Sequence, residues 1–195
     1  MMARERREAR VTVDILCKVV DNYGDIGVVY RLAKALSALD PALKIRLSVD
    51  NLAAFKALEP AVDAEAEAQS LHGWELLRWG AAWPGFRSDP PRLVLECFAC
   101  GRPDPLEEAL FAPDREDVRH IVNIEYLSAE AYADELHLMP SATRSPLVKK
   151  HIFMPGFTPG TGGLIVDPDF KRAMEVWGEA KAAGREALAD RKSVV

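Results

Sequence analysis

Apolar and polar positions along the chain follow two periods, and the two periods alternate. Short β-branched and apolar runs predict buried strands; they cover 11–20, 44–50, 92–99, 119–128 and 148–157. Other segments place apolar residues at helical spacing; they cover 26–39, 51–58, 104–111, 129–138 and 170–195. Asp50 is the expected N-cap of the second helix. Strands that alternate with helices imply βαβ units, so the pattern predicts an α/β fold with a Rossmann-like, open and mostly parallel sheet.

The segment 61–90 interrupts this alternation. It mixes apolar with acidic residues and carries three tryptophans, Trp74, Trp79 and Trp83. The pattern favours one or two strands and an irregular loop over a single long helix. The tryptophans fit either core positions or a protein-docking surface, because aromatic residues are enriched at interface anchors.

The last predicted helix carries its larger apolar side chains on one stripe. Phe170, Met174 and Trp177 recur at the spacing of a buried face. Two interpretations are open: the stripe covers the core of this domain, which we prefer, or it packs near a second domain.

Charge and length limit the partners that the chain can have. Its 195 residues suffice for one ordinary domain. The net charge of −5 argues against broad electrostatic capture of nucleic acid or of an anionic membrane. The sequence holds no apolar stretch of roughly eighteen residues, and residues 1–10 are charged without the apolar region of a signal peptide. We therefore expect a cytoplasmic protein with no nucleic-acid partner and no membrane partner.

Motifs for a metal or a cofactor are incomplete. Cys97 and Cys100 have the spacing of half a zinc site, but no second half accompanies them, and Cys17 lies in the first strand. We expect free thiols. A dinucleotide fingerprint needs three glycines after the first strand, where the chain offers only Gly24 and Gly27. The sequence predicts neither a metal site nor a cofactor.

The five residues DNYGD, at 21–25, separate the first strand from the first helix. In open parallel sheets, ligands bind where loops leave the carboxyl ends of strands, and this loop is the first of that kind. Asp25 is a natural N-cap for a helix that begins at Ile26, with Asp21 and Asn22 in a turn. In the other interpretation, Asp21 and Asp25 share a cationic or donor-rich ligand.

A resemblance favours the second interpretation. VVDNYGDIGVVYRLAKAL at 19–36 closely resembles the N-terminal motif of the EarP family, protein-arginine rhamnosyltransferases that modify bacterial elongation factor P. Further blocks of the same family are VNIEYLSAEAY at 122–132, FMPGFTPGTGGLIVDPDF at 153–170 and, more weakly, ECFAC at 96–100. These blocks lie in the same order as in the family and together span most of the chain.

The resemblance assigns roles to the DNYGD loop. It implies that Asp25 is the general base and that Asp21 helps to position the acceptor. Gly24 would keep the loop backbone close to the donor, and Asn22 and Tyr23 would contribute to substrate binding. The implied reaction is an inverting transfer of rhamnose, without a metal, from dTDP-β-L-rhamnose to an arginine of elongation factor P.

The resemblance also implies a domain organisation. Members of the family are GT-B glycosyltransferases of roughly twice this length, with two Rossmann-like domains. We expect a charged extension at 1–10, the acceptor-side domain at 11–168, and the start of an inter-domain segment at 169–195. The donor-binding domain, with a further family glutamate, has no counterpart here. We therefore expect no transfer by this chain alone, and the alternative is a non-catalytic module that docks elongation factor P.

Overall fold

A single eight-stranded sheet forms the frame of the protein. The computed structural model describes residues 11–21 and 23–192, with side chains described up to residue 182. The predicted extension at 1–10 and the predicted substrate-binding residue Asn22 lie outside the described residues.

Strands and helices alternate along most of the chain. The strands are β1 (Thr12–Cys17), β2 (Lys44–Val49), β3 (Ala68–Leu71), β4 (Trp74–Arg78), β5 (Leu93–Cys97), β6 (Arg119–Ile124), β7 (Pro140–Ser141) and β8 (Val148–Phe153). The helices are α1 (Gly24–Leu39), α2 (Leu52–Leu58), α3 (Gly85–Ser88), α4 (Asp104–Leu110), α5 (Tyr132–Leu136) and α6 (Pro168–Lys192).

The sheet is parallel except at its two edges. Its strand order is β3-β4-β2-β1-β5-β6-β8-β7. The six inner strands of this order, from β4 through β1 to β8, run parallel to one another. β3 and β7 pair antiparallel as the outer strands. The predicted α/β fold with an open, mostly parallel sheet is confirmed.

The strand order reverses direction at β1. From β1 the chain adds β2 and β4 on one side, then returns to place β5 against the other side of β1. A crevice forms at such a switch point, outside the carboxyl ends of the two adjacent strands. The loops that follow β1 and β5 therefore border the position where α/β proteins of this kind bind ligands.

Two apolar cores lie on opposite faces of the sheet. Successive residues of a strand point to opposite faces, and Ile15 and Leu16 accordingly belong to different cores. The first core includes Ile26 from α1 and Phe55 from α2. The second includes Leu106 from α4, and Trp79 and Trp83 pack against it. Trp74 is buried in the first core, so all three tryptophans contribute to cores.

A buried ion pair joins the two central strands. Asp14 and Arg46 lie opposite each other in the β1–β2 register, and both are almost fully buried. The Arg46 Nε donates to Asp14 Oδ1 at 2.6 Å, and Nη2 donates to Oδ2 at 3.0 Å. Nη1 donates to the carbonyls of Gly85 and Asp89, which ties the α3 segment to the sheet. Burial raises the pKa of Asp14 to about 6, although Arg46 acts in the opposite direction.

The structure corrects several predicted boundaries. α1 begins at Gly24 rather than Ile26, because the turn after β1 already has helical backbone at Tyr23. α2 is capped by Asn51, whose side chain accepts from the amide of Ala54, whereas Asp50 accepts the amide of Val19. The sequence pattern missed the four-residue helix α3 and the two-residue edge strand β7.

The preferred interpretation of the α6 stripe was wrong. Met174 and Trp177 are 49% and 58% exposed, so they do not cover the core of this domain. Phe170 alone is half-buried, and the guanidinium of Arg31 lies over its ring. α6 is the longest helix, and neither it nor any other described helix combines the length and apolarity needed to cross a bilayer.

Replacing Arg46 by Met is expected to lower the free energy of unfolding by about 3–5 kcal/mol, because Asp14 would remain buried without its partner. The loss should be larger at neutral than at acidic pH. An unpaired Asp14 is protonated in the folded state and ionised in the unfolded state, so stability falls as pH rises between the two pKa values. Urea unfolding at several pH values measures both effects.

The double variant Asp14→Leu/Arg46→Met is the control, since it removes both charges and loses the same contacts to Gly85 and Asp89. It should lose much less stability than Arg46→Met alone. Equal losses in the two variants would show that the buried charge of Asp14 is not the cause.

Candidate functional site

Three loops meet at the carboxyl edge of the sheet, beside the switch point. They follow β1, β5 and β6, at 18–23, 98–103 and 125–131. The amide of Phe98 donates to the carbonyl of Ile124 at 2.7 Å, which joins the second loop to the end of β6. The hydroxyl of Tyr126 donates to Asp25 at 3.1 Å, which joins the third loop to α1. Hydrogen bonds therefore connect these loops with each other and with the start of α1.

Asp25 lies in the first turn of α1 and is only 2% exposed. Its Oδ2 accepts the amides of Val20 and Asp21, at 2.8 and 2.9 Å. Its Oδ1 accepts the hydroxyl of Tyr126. The carboxylate thus closes the loop after β1 onto the start of α1, where a negative charge is also favoured by the helix dipole.

The N-cap interpretation of Asp25 is wrong. Tyr23 occupies the N-cap position of α1, and no side chain there accepts a helix amide. Asp25 instead bonds backwards to amides that precede the helix. It is a loop anchor inside the helix rather than a cap before it.

Gly24 makes room for the carboxylate of Asp21. The amide of Gly24 donates to the Asp21 carbonyl at 2.7 Å, which brings the two residues together in a tight turn. A Cβ at position 24 would lie 2.8 Å from Asp21 Oδ2. Asp21 itself is exposed, and so is Tyr23, at 56%. The loop therefore presents one exposed carboxylate beside one buried carboxylate.

An aromatic pair lies beside Asp25. The rings of Tyr126 and Phe98 stack at 4.2 Å between centroids, with an interplanar angle of 12°. Tyr126 is 52% exposed, although its hydroxyl reaches the buried Asp25. Burial of that hydroxyl, together with its bond to Asp25, raises the pKa of Tyr126, so that the hydroxyl keeps its proton and remains a donor.

The backbone that presents the Phe98 ring is unusual. Phe98 and Ala99 both adopt the left-handed region, with φ of 58° and 50°, which non-glycine residues rarely do. The amide of Ala99 donates to Asn123 Oδ1 at 3.1 Å, and this bond helps to hold the turn. Sequence reasoning missed Phe98 and Tyr126 as site residues. The available signal was their position, since each lies near the carboxyl end of a predicted parallel strand.

A buried carboxylate, that of Glu96, braces the loop after β5. Glu96 accepts the amide of Gly101 at 3.0 Å, Arg102 Nη1 at 2.7 Å and Lys150 Nζ at 3.0 Å. Both oxygens of this buried carboxylate are therefore bound by groups of the protein, which makes Glu96 a structural group.

The cysteines near this edge are free thiols, as expected. Burial raises the pKa of Cys17 and of Cys97, and it raises that of Cys100 to about 11. Among the described residues, no three His, Cys, Asp or Glu side chains are grouped so that they could hold a metal ion.

Comparison with known proteins identifies the family. The model of the family described as "Elongation-Factor P (EF-P) rhamnosyltransferase EarP" matches residues 13–194. The chain belongs to the EarP family. The enzyme family that the sequence blocks predicted is confirmed.

Curated relatives share the name protein-arginine rhamnosyltransferase. The Pseudomonas putida relative is 44% identical over 80% of this chain and 40% of its own length. The Pseudomonas aeruginosa relative is 41% identical over 78% of this chain and 39% of its own length. The Shewanella oneidensis relative is 37% identical over 84% of this chain and 42% of its own length. The chain spans about two fifths of the length of these relatives.

The structure brings most of the predicted site residues together. Asp21, Tyr23, Gly24 and Asp25 lie within one turn at the carboxyl end of β1, and Asn22 lies between them outside the described residues. The roles assigned to these residues stay predictions, as does the division of the chain at residue 168.

Asn at position 25 is expected to preserve the fold, whereas Ala is not. The Asn oxygen can accept the amides of Val20 and Asp21, and its amide can donate to the Tyr126 oxygen. Asp25→Asn should therefore stay within about 1 kcal/mol of the natural chain in urea unfolding. Asp25→Ala should lose roughly 1–3 kcal/mol, because both amides lose their acceptor. Equal stability of the two variants would show that the loop does not depend on this side chain.

Proposed function

We propose that this chain is the acceptor-side part of a transferase that moves rhamnose from dTDP-β-L-rhamnose to an arginine of elongation factor P. The chain would then be the N-terminal half of a GT-B glycosyltransferase. Membership of the EarP family supports the reaction class. The observation that carries the assignment of the site is the pair of carboxylates, Asp21 exposed and Asp25 anchored, beside the switch point of the sheet.

The acceptor group explains why carboxylates are needed. A guanidinium has a pKa above about 12, so no side chain deprotonates it appreciably before reaction. Its nitrogen lone pairs are delocalised and attack poorly. Carboxylates bind its N–H groups through charge-assisted hydrogen bonds and can orient one nitrogen. Positioning therefore supplies much of the rate enhancement, and proton removal accompanies bond formation.

The proposed step is a single displacement at the anomeric carbon. One guanidinium nitrogen forms a bond to that carbon while the bond from carbon to the dTDP oxygen breaks. The leaving dTDP takes the electron pair, and the configuration at the anomeric carbon inverts. The nitrogen loses one proton to the Asp25 carboxylate, so the product arginine stays a cation and one proton is released overall.

Donor binding is assigned to the part of such a transferase that this chain does not span. The matched region covers about two fifths of each relative, which leaves room for a donor-binding domain of ordinary size. The acceptor is a translation factor, and the reaction would take place in the cytoplasm. No cofactor is needed, since the sugar nucleotide carries the energy of the transfer.

Gly24→Ala is expected to weaken the binding of elongation factor P by this chain. A Cβ at position 24 would displace the Asp21 carboxylate, which is the far end of a movable side chain. Loss of a charge-assisted hydrogen bond costs about 1.5–3 kcal/mol, or roughly tenfold to a hundredfold in Kd. Calorimetric titration measures the Kd of both chains.

Gly27→Ala is the matched control, because its Cβ would lie 3.7 Å from Leu58 Cδ1, an ordinary contact. It should bind like the natural chain. If Gly24→Ala binds as tightly as Gly27→Ala, the assignment of Asp21 to the acceptor is wrong.

Asp25→Asn is expected to slow transfer strongly while leaving the fold intact. The test uses a hybrid in which residues 1–177 of this chain are joined to the donor half of the Pseudomonas putida relative. Loss of the base should lower the rate roughly 10²–10⁴-fold. Mass spectrometry of elongation factor P reports one added rhamnose per molecule, and a protein whose acceptor arginine is replaced by lysine should gain none.

Near-normal transfer by the Asp25→Asn hybrid would contradict the base assignment.

A second candidate function rests on the share of the relatives that this chain spans: a module that docks elongation factor P without catalysis. It is favoured if this chain binds elongation factor P with the same Kd with and without dTDP-rhamnose, and the hybrid transfers nothing.

A further inference from the structure

The hydrogen bonds made by the described residues leave one acceptor position of Asp25 open to a ligand. A carboxylate offers about four lone-pair sites, two on each oxygen. The amides of Val20 and Asp21 occupy both sites of Oδ2, and the hydroxyl of Tyr126 occupies one site of Oδ1. The proposed acceptor arginine can therefore reach Asp25 only at Oδ1 and only through one N–H. The guanidinium therefore cannot form a bidentate interaction with both oxygens of Asp25.

We propose that Tyr126 is a positioning residue for the acceptor arginine, an inference that rests on the proposed function. Its hydroxyl holds one side of Asp25 Oδ1 and limits the guanidinium to a single hydrogen bond with that oxygen. The nitrogen that makes this bond is the one that loses its proton. A second N–H of the same guanidinium then faces the exposed carboxylate of Asp21.

The surroundings of Tyr126 keep its hydroxyl in this place. The ring is stacked on Phe98. The Phe98 backbone lies in the left-handed region and is held there by the hydrogen bond from its amide to the carbonyl of Ile124. Two successive non-glycine residues in that region are unfavourable, so the fold maintains this turn against its local preference. Strain of this kind is typical of sites in which a side chain must be presented in one direction.

The exposure of Tyr126 indicates the side from which a ligand approaches. Half of the residue is open to solvent, although its hydroxyl ends on a carboxylate that is 2% exposed. In the proposed arrangement, a guanidinium approaches the remaining lone pair of Oδ1 along the open side of the ring. A planar guanidinium that passes along an aromatic ring is also favoured by cation–π attraction.

Nuclear magnetic resonance on this chain with ¹³C-labelled tyrosines tests the inference, with N-acetylarginine amide as the probe. In the natural chain, the probe should shift the Tyr126 signals and lower the pKa of Tyr126, because the bound cation offsets the charge of Asp25. Tyr126→Phe should bind the probe as tightly as the natural chain or tighter, within about twofold, since a lone pair is freed. Asp25→Asn should bind at least about tenfold more weakly.

Tyr132→Phe is the matched control. Tyr132 is 50% exposed, and within the described part of the chain its hydroxyl contacts only Ser128, at 3.4 Å. This variant should leave probe binding unchanged.

In the hybrid transferase, Tyr126→Phe should lower kcat roughly tenfold or more without raising KM, because the arginine binds but is no longer correctly oriented. A merely structural role would weaken binding and turnover together.

The outcomes separate this inference from the proposed function. If Asp25→Asn weakens binding as expected but Tyr126→Phe weakens it equally, or if the probe leaves the Tyr126 signals unchanged, the positioning role is overturned alone. If Asp25→Asn binds the probe like the natural chain, Asp25 is not the arginine site, and the proposed function falls with the inference.

Discussion

The Asp25 carboxylate is held by three hydrogen bonds, and the arrangement of the site depends on them. Two come from backbone amides in the loop after β1, and the third comes from the loop after β6. The carboxylate itself belongs to the first turn of α1. The Asp25 carboxylate therefore fixes the loop after β1, the start of α1 and the loop after β6 relative to one another. Because main-chain amides supply two of the bonds, the position of the charge is set before any ligand arrives, which is the condition for electrostatic preorganisation.

Local patterns predicted the parts of the site that are close together in sequence. The apolar run before Asp21 and the helical spacing after Asp25 are patterns that extend over a few residues. They correctly placed the loop at the carboxyl end of the first strand. Tyr126 contacts Asp25 across 101 positions of sequence. Only the pairing of β1 with β5 and of β5 with β6 brings the two residues to the same edge. A single sequence carries no signal for that register.

The predictions that failed depended on the directions in which side chains point, which the periodicity of apolar residues does not specify. An aspartate near a helix start suggests a cap, but the path of the loop before Asp25 turns its carboxylate towards preceding amides. Asp14 stands in an apolar strand, and its partner Arg46 stands 32 positions away in the neighbouring strand. A buried aspartate is tolerated there because the parallel register places a guanidinium directly opposite.

α1 links the site to the C-terminal helix. Arg31 of α1 donates to Asp167 at 2.7 Å and to the carbonyl of Ile165 at 2.9 Å. Asp167 is buried, accepts the amide of Phe170 and so caps α6; Arg31 lowers its pKa although burial acts in the opposite direction. Beyond this cap, Phe170 is half-buried and the other apolar residues up to residue 182 are exposed, so burial contributes little to holding α6. Charged contacts with α1 set its direction instead, and the same helix fixes both the Asp25 carboxylate and the path by which the chain leaves the sheet.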